Sequence, residues 1–259
     1  MKILVIGDIV GRPGREAIKE LLPKLKQKYH LDLVIANGEN VAGGSGITPK
    51  LAKELFNIGI NIITSGDHIW KRKEIFPFLE TEKNLLRPAN YPLSAPGRGT
   101  TTVEKNSVRI GVINLEGRIF MEGIRSPFEV AEEEISKLTK DTKIIIVDFH
   151  AEATSEKICL GWYLDGKVSA VLGTHTHIQT ADENILPNGT AYITDLGMTG
   201  PYDSVIGREK KNVLQRFIMQ VPTRFEVAKG DVHLCGAILE IDTKTGKSIS
   251  IMRVNERLN

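Results

Sequence analysis

Lys2-Ile3-Leu4-Val5-Ile6-Gly7-Asp8 is the stretch that decides the fold class. Its apolar run shows no alternation, the mark of a strand covered on both faces. It stops on a glycine and an acid. A helical pattern follows: Pro13 suits a first turn, and Ala17, Ile18, Leu21, Leu22 and Leu25 recur at helical spacing. Pro23 should distort that helix near its end. A doubly buried strand followed by an amphipathic helix is the repeating unit of a layered α/β protein.

The unit recurs along the chain. Residues 31–36 predict a second buried strand. Thr48 as N-cap, Pro49 at the first helical position, the stripe Leu51, Ala52, Leu55 and Ile58, and Gly59 as stop predict the next helix. Residues 60–65 predict a third strand, and 70–79 a helix with Ile75, Phe78 and Leu79 on its apolar side. Further strands are expected at 108–115, 143–149, 168–172 and 191–194, with a helix at 127–138. Residues 233–241 and 248–254 read as a hairpin around Thr243-Lys244-Thr245-Gly246. The pattern predicts an α/β layered sandwich with mixed sheets, as one domain over residues 1–259.

Composition narrows the class of function. Hydrophobic residues at 41% and a net charge of +2 exclude a disordered chain and give no basic field for long nucleic acid or a membrane surface. A small nucleotide substrate needs only a local site and stays open, as does a homo-oligomer. No apolar run reaches the roughly 18 residues of a membrane span, and the first apolar stretch is too short for a signal-peptide core. Cys159 and Cys235 fit no zinc or CxxC pattern. They read as small core residues, and the cytoplasm is the expected compartment.

Chemistry collects where the strands end. Asp8 closes the first strand, Glu39-Asn40 follow the second, Asp67-His68 the third, His150 ends a later one, and His175-Thr176-His177 follow the next. In open α/β sheets ligands bind beyond the carboxyl ends of strands, so these residues converge on one mouth. Taken alone, Asp8 could cap a turn, Glu39 could be a solvated loop acid, and His150 could be a hydrogen-bonded core histidine. His175 and His177 say more, because residues i and i+2 of an extended chain point the same way. His30 and His233 have no polar neighbours in sequence and read as structural or surface residues. Asp148, two residues before His150, could anchor the loop or contact a ligand imidazole from outside, and Glu152 and Thr154 could do either too; Arg118 and Tyr202 are candidate substrate contacts without a firm sequence argument. Carboxylate and imidazole donors without thiolate suit iron, manganese or zinc. Asp8, Glu39, Asn40, Asp67, His150, His175 and His177 are too many for one ion. Two divalent ions sharing a carboxylate use them economically, as in phosphoester hydrolysis.

The same residues carry a family resemblance. Gly7-Asp8-Ile9-Val10-Gly11, Asn37-Gly38-Glu39-Asn40, Arg87-Pro88-Ala89-Asn90 and the runs 148–157, 173–181 and 194–202 resemble the calcineurin-type metallophosphoesterases, and more narrowly the YmdB-like bacterial phosphodiesterases. The resemblance covers nearly the whole chain. It implies a four-layer α/β/β/α sandwich with two mixed sheets. It also implies a cytoplasmic enzyme that opens 2′,3′-cyclic nucleotides to 3′-nucleotides. Asp8, Glu39, Asn40 and His177 would hold one ion, with Glu39 bridging. Position 67, His150 and His175 would hold the other, and His68 would be the proton donor, or else a residue that only orients ligands. Two divalent metal ions per chain are implied, iron first, with manganese or zinc as alternatives. A phosphatase or nuclease on other phosphoesters, or a regulatory RNA-related binding protein with weak catalysis, are the competing classes.

The centre departs from the family pattern. Gly66-Asp67-His68 stands where the family has Gly-Asn-His, and Ile69 and Lys71 also depart, which touches substrate preference. Two divalent ions bring about +4, and Asp8 and Glu39 offset two of those charges. An ionised Asp67 offsets a third and should weaken the pull on a phosphate oxygen. Asp67→Asn should therefore change metal content or turnover relative to the parent. Equal values in metal analysis and in hydrolysis would show that Asp67 behaves as the amide does.

Overall fold

The computed structural model describes residues 1–121 and 124–259. Strand β1 (Lys2–Ile6) is buried on both faces, and the structure is organised around it. It pairs in parallel with β3 (Leu33–Asn37), which pairs in parallel with β4 (Ile62–Thr64). On its other side β1 pairs antiparallel with β12 (Val232–Ile241), which also carries β13 (Ser248–Arg257) and β11 (Met198–Pro201). The two-residue β2 (Asp8–Ile9) pairs with β11 and completes a mixed seven-stranded sheet. The second sheet has six strands in the order β5 (Thr100–Lys105), β6 (Val108–Glu116), β7 (Ile144–His150), β8 (Ala170–Thr174), β10 (Ala191–Ile193) and β9 (Asn184–Ile185). Its centre is parallel and both edge pairs are antiparallel.

Side-chain alternation sorts the strands into layers. Ile3 and Val5 of β1 and Leu33 and Ile35 of β3 pack against Ile110, Val112, Ile144, Ile146, Ala170 and Leu172 of the second sheet, forming the core between sheets. Leu4, Ile6, Val34 and Ala36 face the other way, against α1 (Gly11–Tyr29) and α2 (Pro49–Ile58). On the far side, Ile145, Val147 and Phe149 meet α4 (Pro127–Leu138) and α5 (Thr154–Tyr163). The result is a four-layer α/β/β/α sandwich with two mixed sheets. Among the described residues no helix is long and apolar enough to cross a membrane.

Several expectations change in detail. Thr48 caps α2 by accepting a hydrogen bond from the Leu51 N–H at 3.2 Å, and Gly59 closes it at φ 116°. Pro23 lies inside α1, which continues to Tyr29. The helix expected at 70–79 is instead 3₁₀ turns over Asp67–Lys71 and Lys73–Ile75, followed by a short α3 (Phe76–Thr81). Pro77 fits only the first turn of a helix, so α3 begins beside it. Strands β5 and β11 and helices α5 and α6 (Lys210–Met219) carry no clear hydropathy signal and add to the expected set. Cys235 is buried as expected, but Cys159 is exposed on α5.

Leu239 of β12 is fully buried between the sheets, at the end of the core away from the strand-end loops. Leu239→Ala should cost about 2–5 kcal/mol in urea unfolding and leave metal binding intact.

Candidate metal centre

The site continues the inter-sheet face of the strands. In β7, Ile144 and Ile146 point into the core, so Asp148 and His150 follow on the same face. In β8, Ala170 and Leu172 lead to Thr174. From the other sheet Leu33 and Ile35 lead to Asn37, and Ile62 leads to Thr64. Register places Thr174 beside His150 and Thr64 beside Asn37. The apolar layer thus ends in a buried polar one at the carboxyl ends of the strands.

Every residue expected at the site lies there. Asp8, Glu39 and His150 are buried and form its floor, whereas Asp67 and His68 are each 30% exposed at the rim. His150 Nε2 lies 3.3 Å from Glu39 Oε1, 3.8 Å from Asp67 Oδ1 and 3.0 Å from His175 Nδ1. Asn40 Nδ2 donates to Glu39 Oε1 at 3.0 Å and lies 3.3 Å from His177 Nε2. His177 Nε2 is 3.9 Å from Asp8 Oδ1. His68 Nδ1 is 2.8 Å from Asn40 Oδ1, and its backbone N–H donates to Glu39 Oε2 at 3.1 Å. Gly66 makes this approach possible. A Cβ there would lie 2.0 Å from His150 Cδ2 and 2.6 Å from Glu39 Oε2.

His175 and His177 arrive by a different route from the one their spacing suggests. The backbone is not extended: φ is 100° at His175 and 68° at His177. The two rings serve different partners, His175 with His150 and His177 with Asp8 and Asn40.

The aim of each imidazole toward the centre is fixed from outside. His150 Nδ1 meets Thr174 Oγ1 at 3.0 Å, and that hydroxyl donates to Asp148 Oδ1 at 2.7 Å. Asp148 is also tied to Thr64 Oγ1 and Asn37. His175 Nε2 meets the Glu152 carboxylate at 3.1 Å. His177 Nδ1 meets the Ile206 carbonyl at 3.0 Å. Such outer partners set the tautomer and aim the free nitrogen, as they do for metal-ligating histidines. The inward nitrogens of His150 and His177 face carboxylate oxygens of which two, Asp67 Oδ1 and Asp8 Oδ1, are buried without a hydrogen-bond partner among the described residues. One ligand atom each from Glu39, Asp67, His150 and His175 fall within 4.8 Å of one another. Buried, unpartnered oxygens among imidazole nitrogens fit a divalent cation, which would satisfy both.

The charges answer one another. Burial alone would raise Glu39, but the neighbouring His150, with His68, holds its carboxyl well below the ordinary value. Burial alone would lower His150, but Glu39, Asp8 and Asp148 outweigh it and raise the ring. Burial first, and the charge on His150 second, lower His175, which stays neutral and ready to donate a lone pair.

Other parts of the site carry no local sequence signal. Lys157, buried on α5, donates to the Thr174 carbonyl and to Asp195 Oδ2, each at 2.7 Å. Asp195 in turn accepts from the Thr176 N–H at 3.1 Å and hydroxyl at 2.8 Å. This pair clamps the loop that bears His175 and His177. Tyr202 is tied to the Met198 carbonyl and Cys235 Sγ, which removes it from the substrate contacts. His233 has polar company after all, with Asn255 Oδ1 at 2.6 Å and Asp231 Oδ1 at 3.1 Å. His30 closes α1 at φ 53°.

Glu116 stands beside His150 in the β6–β7 register, with Tyr91 OH at 3.3 Å from Oε1 and no partner for Oε2. Burial pushes its pKa up to about 8. The folded metal-free protein therefore holds a proton on Glu116 that the unfolded chain has released above its ordinary value of 4.5. This group lowers stability as pH rises from there to about 8. Glu116→Gln should remove that slope. Urea unfolding of the metal-free proteins should show the variant gaining on the parent between pH 5 and 8, by on the order of 3 kcal/mol.

Known proteins share this arrangement of chain. A 2′,3′-cyclic-nucleotide 2′-phosphodiesterase of Bacillus subtilis (strain 168) is 52% identical over 254 residues, covering 98% of this chain and 96% of that one. The crystal structure of a hypothetical protein from Thermus thermophilus matches with a TM-score of 0.94 at 39% identity and covers 99% of both chains. A phosphatase from Mycoplasma pneumoniae also matches with a TM-score of 0.94 at 39% identity, over 99% of this chain and 93% of that one. The YmdB-like protein family matches residues 4–254, and this chain belongs to that family.

Proposed function

We propose that this protein is a two-metal phosphodiesterase that opens 2′,3′-cyclic nucleotides to 3′-nucleotides. The observation that carries the reading is the donor set itself. Three imidazoles are aimed from outside at a centre where two carboxylate oxygens, Asp8 Oδ1 and Asp67 Oδ1, have no partner among the described residues. The activity named for the B. subtilis relative supplies the substrate class. Asp8, Glu39, Asn40 and His177 would hold one ion. Glu39, Asp67, His150 and His175 would hold the other. Bound there, divalent ions make water a nucleophile near neutral pH and offset charge on the phosphate. Iron, manganese and zinc all suit these donors. The two unpaired cysteines favour the cytoplasm.

The chain's own residues supply the rest. Opening the ring toward a 3′-nucleotide breaks the bond between phosphorus and the 2′-oxygen, while the oxygen of water becomes bonded to phosphorus. The departing 2′-oxygen is a poor leaving group and needs a proton. His68 stands at the half-exposed rim with Nδ1 engaged by Asn40, which leaves Nε2 for the substrate. Burial opposes charge on this ring, but Glu39 and Asp67 outweigh it and raise its pKa, so the ring keeps a proton to give. Asn40 can also orient a phosphate oxygen through its amide.

A second reading, a phosphatase on monoesters, draws on the name of the M. pneumoniae chain. One assay separates the two, because only a phosphatase releases inorganic phosphate from the 3′-nucleotide. His68→Ala should keep its metal by elemental analysis and lose about 10²–10⁴-fold in turnover of 2′,3′-cyclic AMP. His150→Ala should lose metal and turnover together. Full turnover in His68→Ala would remove the acid role.

A further inference from the structure

Asp67 and His175 form the polar wall of an open cleft of about 270 Å³, and Phe120 and Met121 supply its apolar wall. The polar wall belongs to the metal centre. The apolar wall has no part in the phosphoester chemistry. Phe120 is 86% exposed, an unusual setting for a phenylalanine beside a polar site. It is also held at φ 64°, a left-handed conformation that bulky residues avoid. Such strain persists only where the surroundings impose it.

The three residues that lead into it are anchored. The buried Glu156 carboxylate accepts the N–H groups of Arg118 at 3.0 Å and Ile119 at 3.3 Å. The Gly117 N–H donates to the His150 carbonyl at 2.9 Å, which ties this loop to a residue of the metal centre. A Cβ at Gly117 would come within 2.6 Å of Ala151 Cβ and 2.7 Å of Glu156 Oε2, so only glycine lets the chain pass. The loop thus leaves the anchored residues 117–119 and places the exposed Phe120 in the lining of the cleft beside the site.

We infer that Phe120 is the platform on which the nucleobase of the substrate stacks. The inference rests on the nucleotide reading above. With the phosphate at Asp67 and His175, the ribose carries the base away from them, and Phe120 is the aromatic side chain that lines the same cleft. Every base has a π face, so a single aromatic platform holds a base without choosing among the four. Recognition by phosphate and platform alone makes the site tolerant of base identity.

The test compares substrates with and without a base in metal-loaded parent, Phe120→Ala and Phe120→Trp. The substrates are 2′,3′-cyclic AMP and the 2′,3′-cyclic phosphate of methyl ribofuranoside. The binding probes are 3′-AMP and ribose 3-phosphate, by calorimetry. Phe120→Ala should lose about 5- to 150-fold in kcat/KM for cyclic AMP and in affinity for 3′-AMP. It should leave the base-free substrate, the base-free probe and metal content unchanged, and Phe120→Trp should restore the loss. Equal behaviour of Phe120→Ala and parent toward the nucleotide, or an equal loss on both substrates, would overturn the platform. If the parent opens neither ring but binds 3′-AMP through Phe120, the proposed reaction falls and the platform stands.

Discussion

Asp8, Glu39 and His150 are buried charged or chargeable groups at the junction of two sheets, and the surrounding structure is arranged to hold them there. Carboxylates out of water are costly unless paired, hydrogen-bonded or bound to a cation. Here the Glu39 carboxylate accepts from the Asn40 amide and the His68 N–H, and the Glu39 backbone N–H donates to the Asn37 side chain. Among the described residues, Asp8 accepts the His175 N–H on one oxygen, at 3.0 Å, and its other oxygen has no partner. The hydrogen bonds therefore serve orientation, and the remaining valences are left where a cation would sit.

Orientation is secured at some distance from the centre. The Thr174 hydroxyl passes the hold of Asp148 on to His150, and Lys157 with Asp195 holds the backbone on either side of His175. Removing Lys157 would leave Asp195 buried and unpaired, which typically costs about 3–5 kcal/mol. The loop of His175 and His177 sits at left-handed φ values that need such support. Packing of the sheets and geometry of the donors are in this way one problem: the same strands that bury Ile146 and Leu172 aim His150 and Thr174.

The first two βα units and the third strand are legible in the sequence because continuous apolar runs and the Thr48, Pro49 and Gly59 punctuation leave one reading, whereas the helix after the third strand breaks into 3₁₀ turns. Strand ends are less so. Strands β7 and β8 run on through His150 and Thr174, polar residues whose burial only the partner sheet explains. Helix α5 buries Glu156 and Lys157, and α6 buries only Val213, so neither shows an apolar stripe. The ligand candidates are legible as polar residues at strand ends. Of their supports, Asp148 and Glu152 are legible only as one of two readings, and the rest are not, because Asn37 and Asp148 meet across 111 residues of chain and the Lys157–Asp195 pair across 38. The spacing of His175 and His177 leads to the right place for the wrong reason, since the loop curls where an extended strand is expected.

Under the proposed function, Asp67 is where metal binding and proton transfer would pull against each other. Its carboxylate lies 3.7 Å from His68 Nε2 and 3.8 Å from His150 Nε2, with Oδ1 unpartnered. An amide at this position would offer the same oxygen without the charge. The charge has two opposed effects. It adds attraction for a cation and so favours metal retention, but it offsets part of the cation's pull on a phosphate oxygen. It also raises the affinity of His68 for its proton. That keeps the acid form populated at higher pH and makes the ring a weaker donor to the leaving oxygen. Under the proposed function, an aspartate here would trade reactivity at both the nucleophilic and the leaving side for a more firmly held cation.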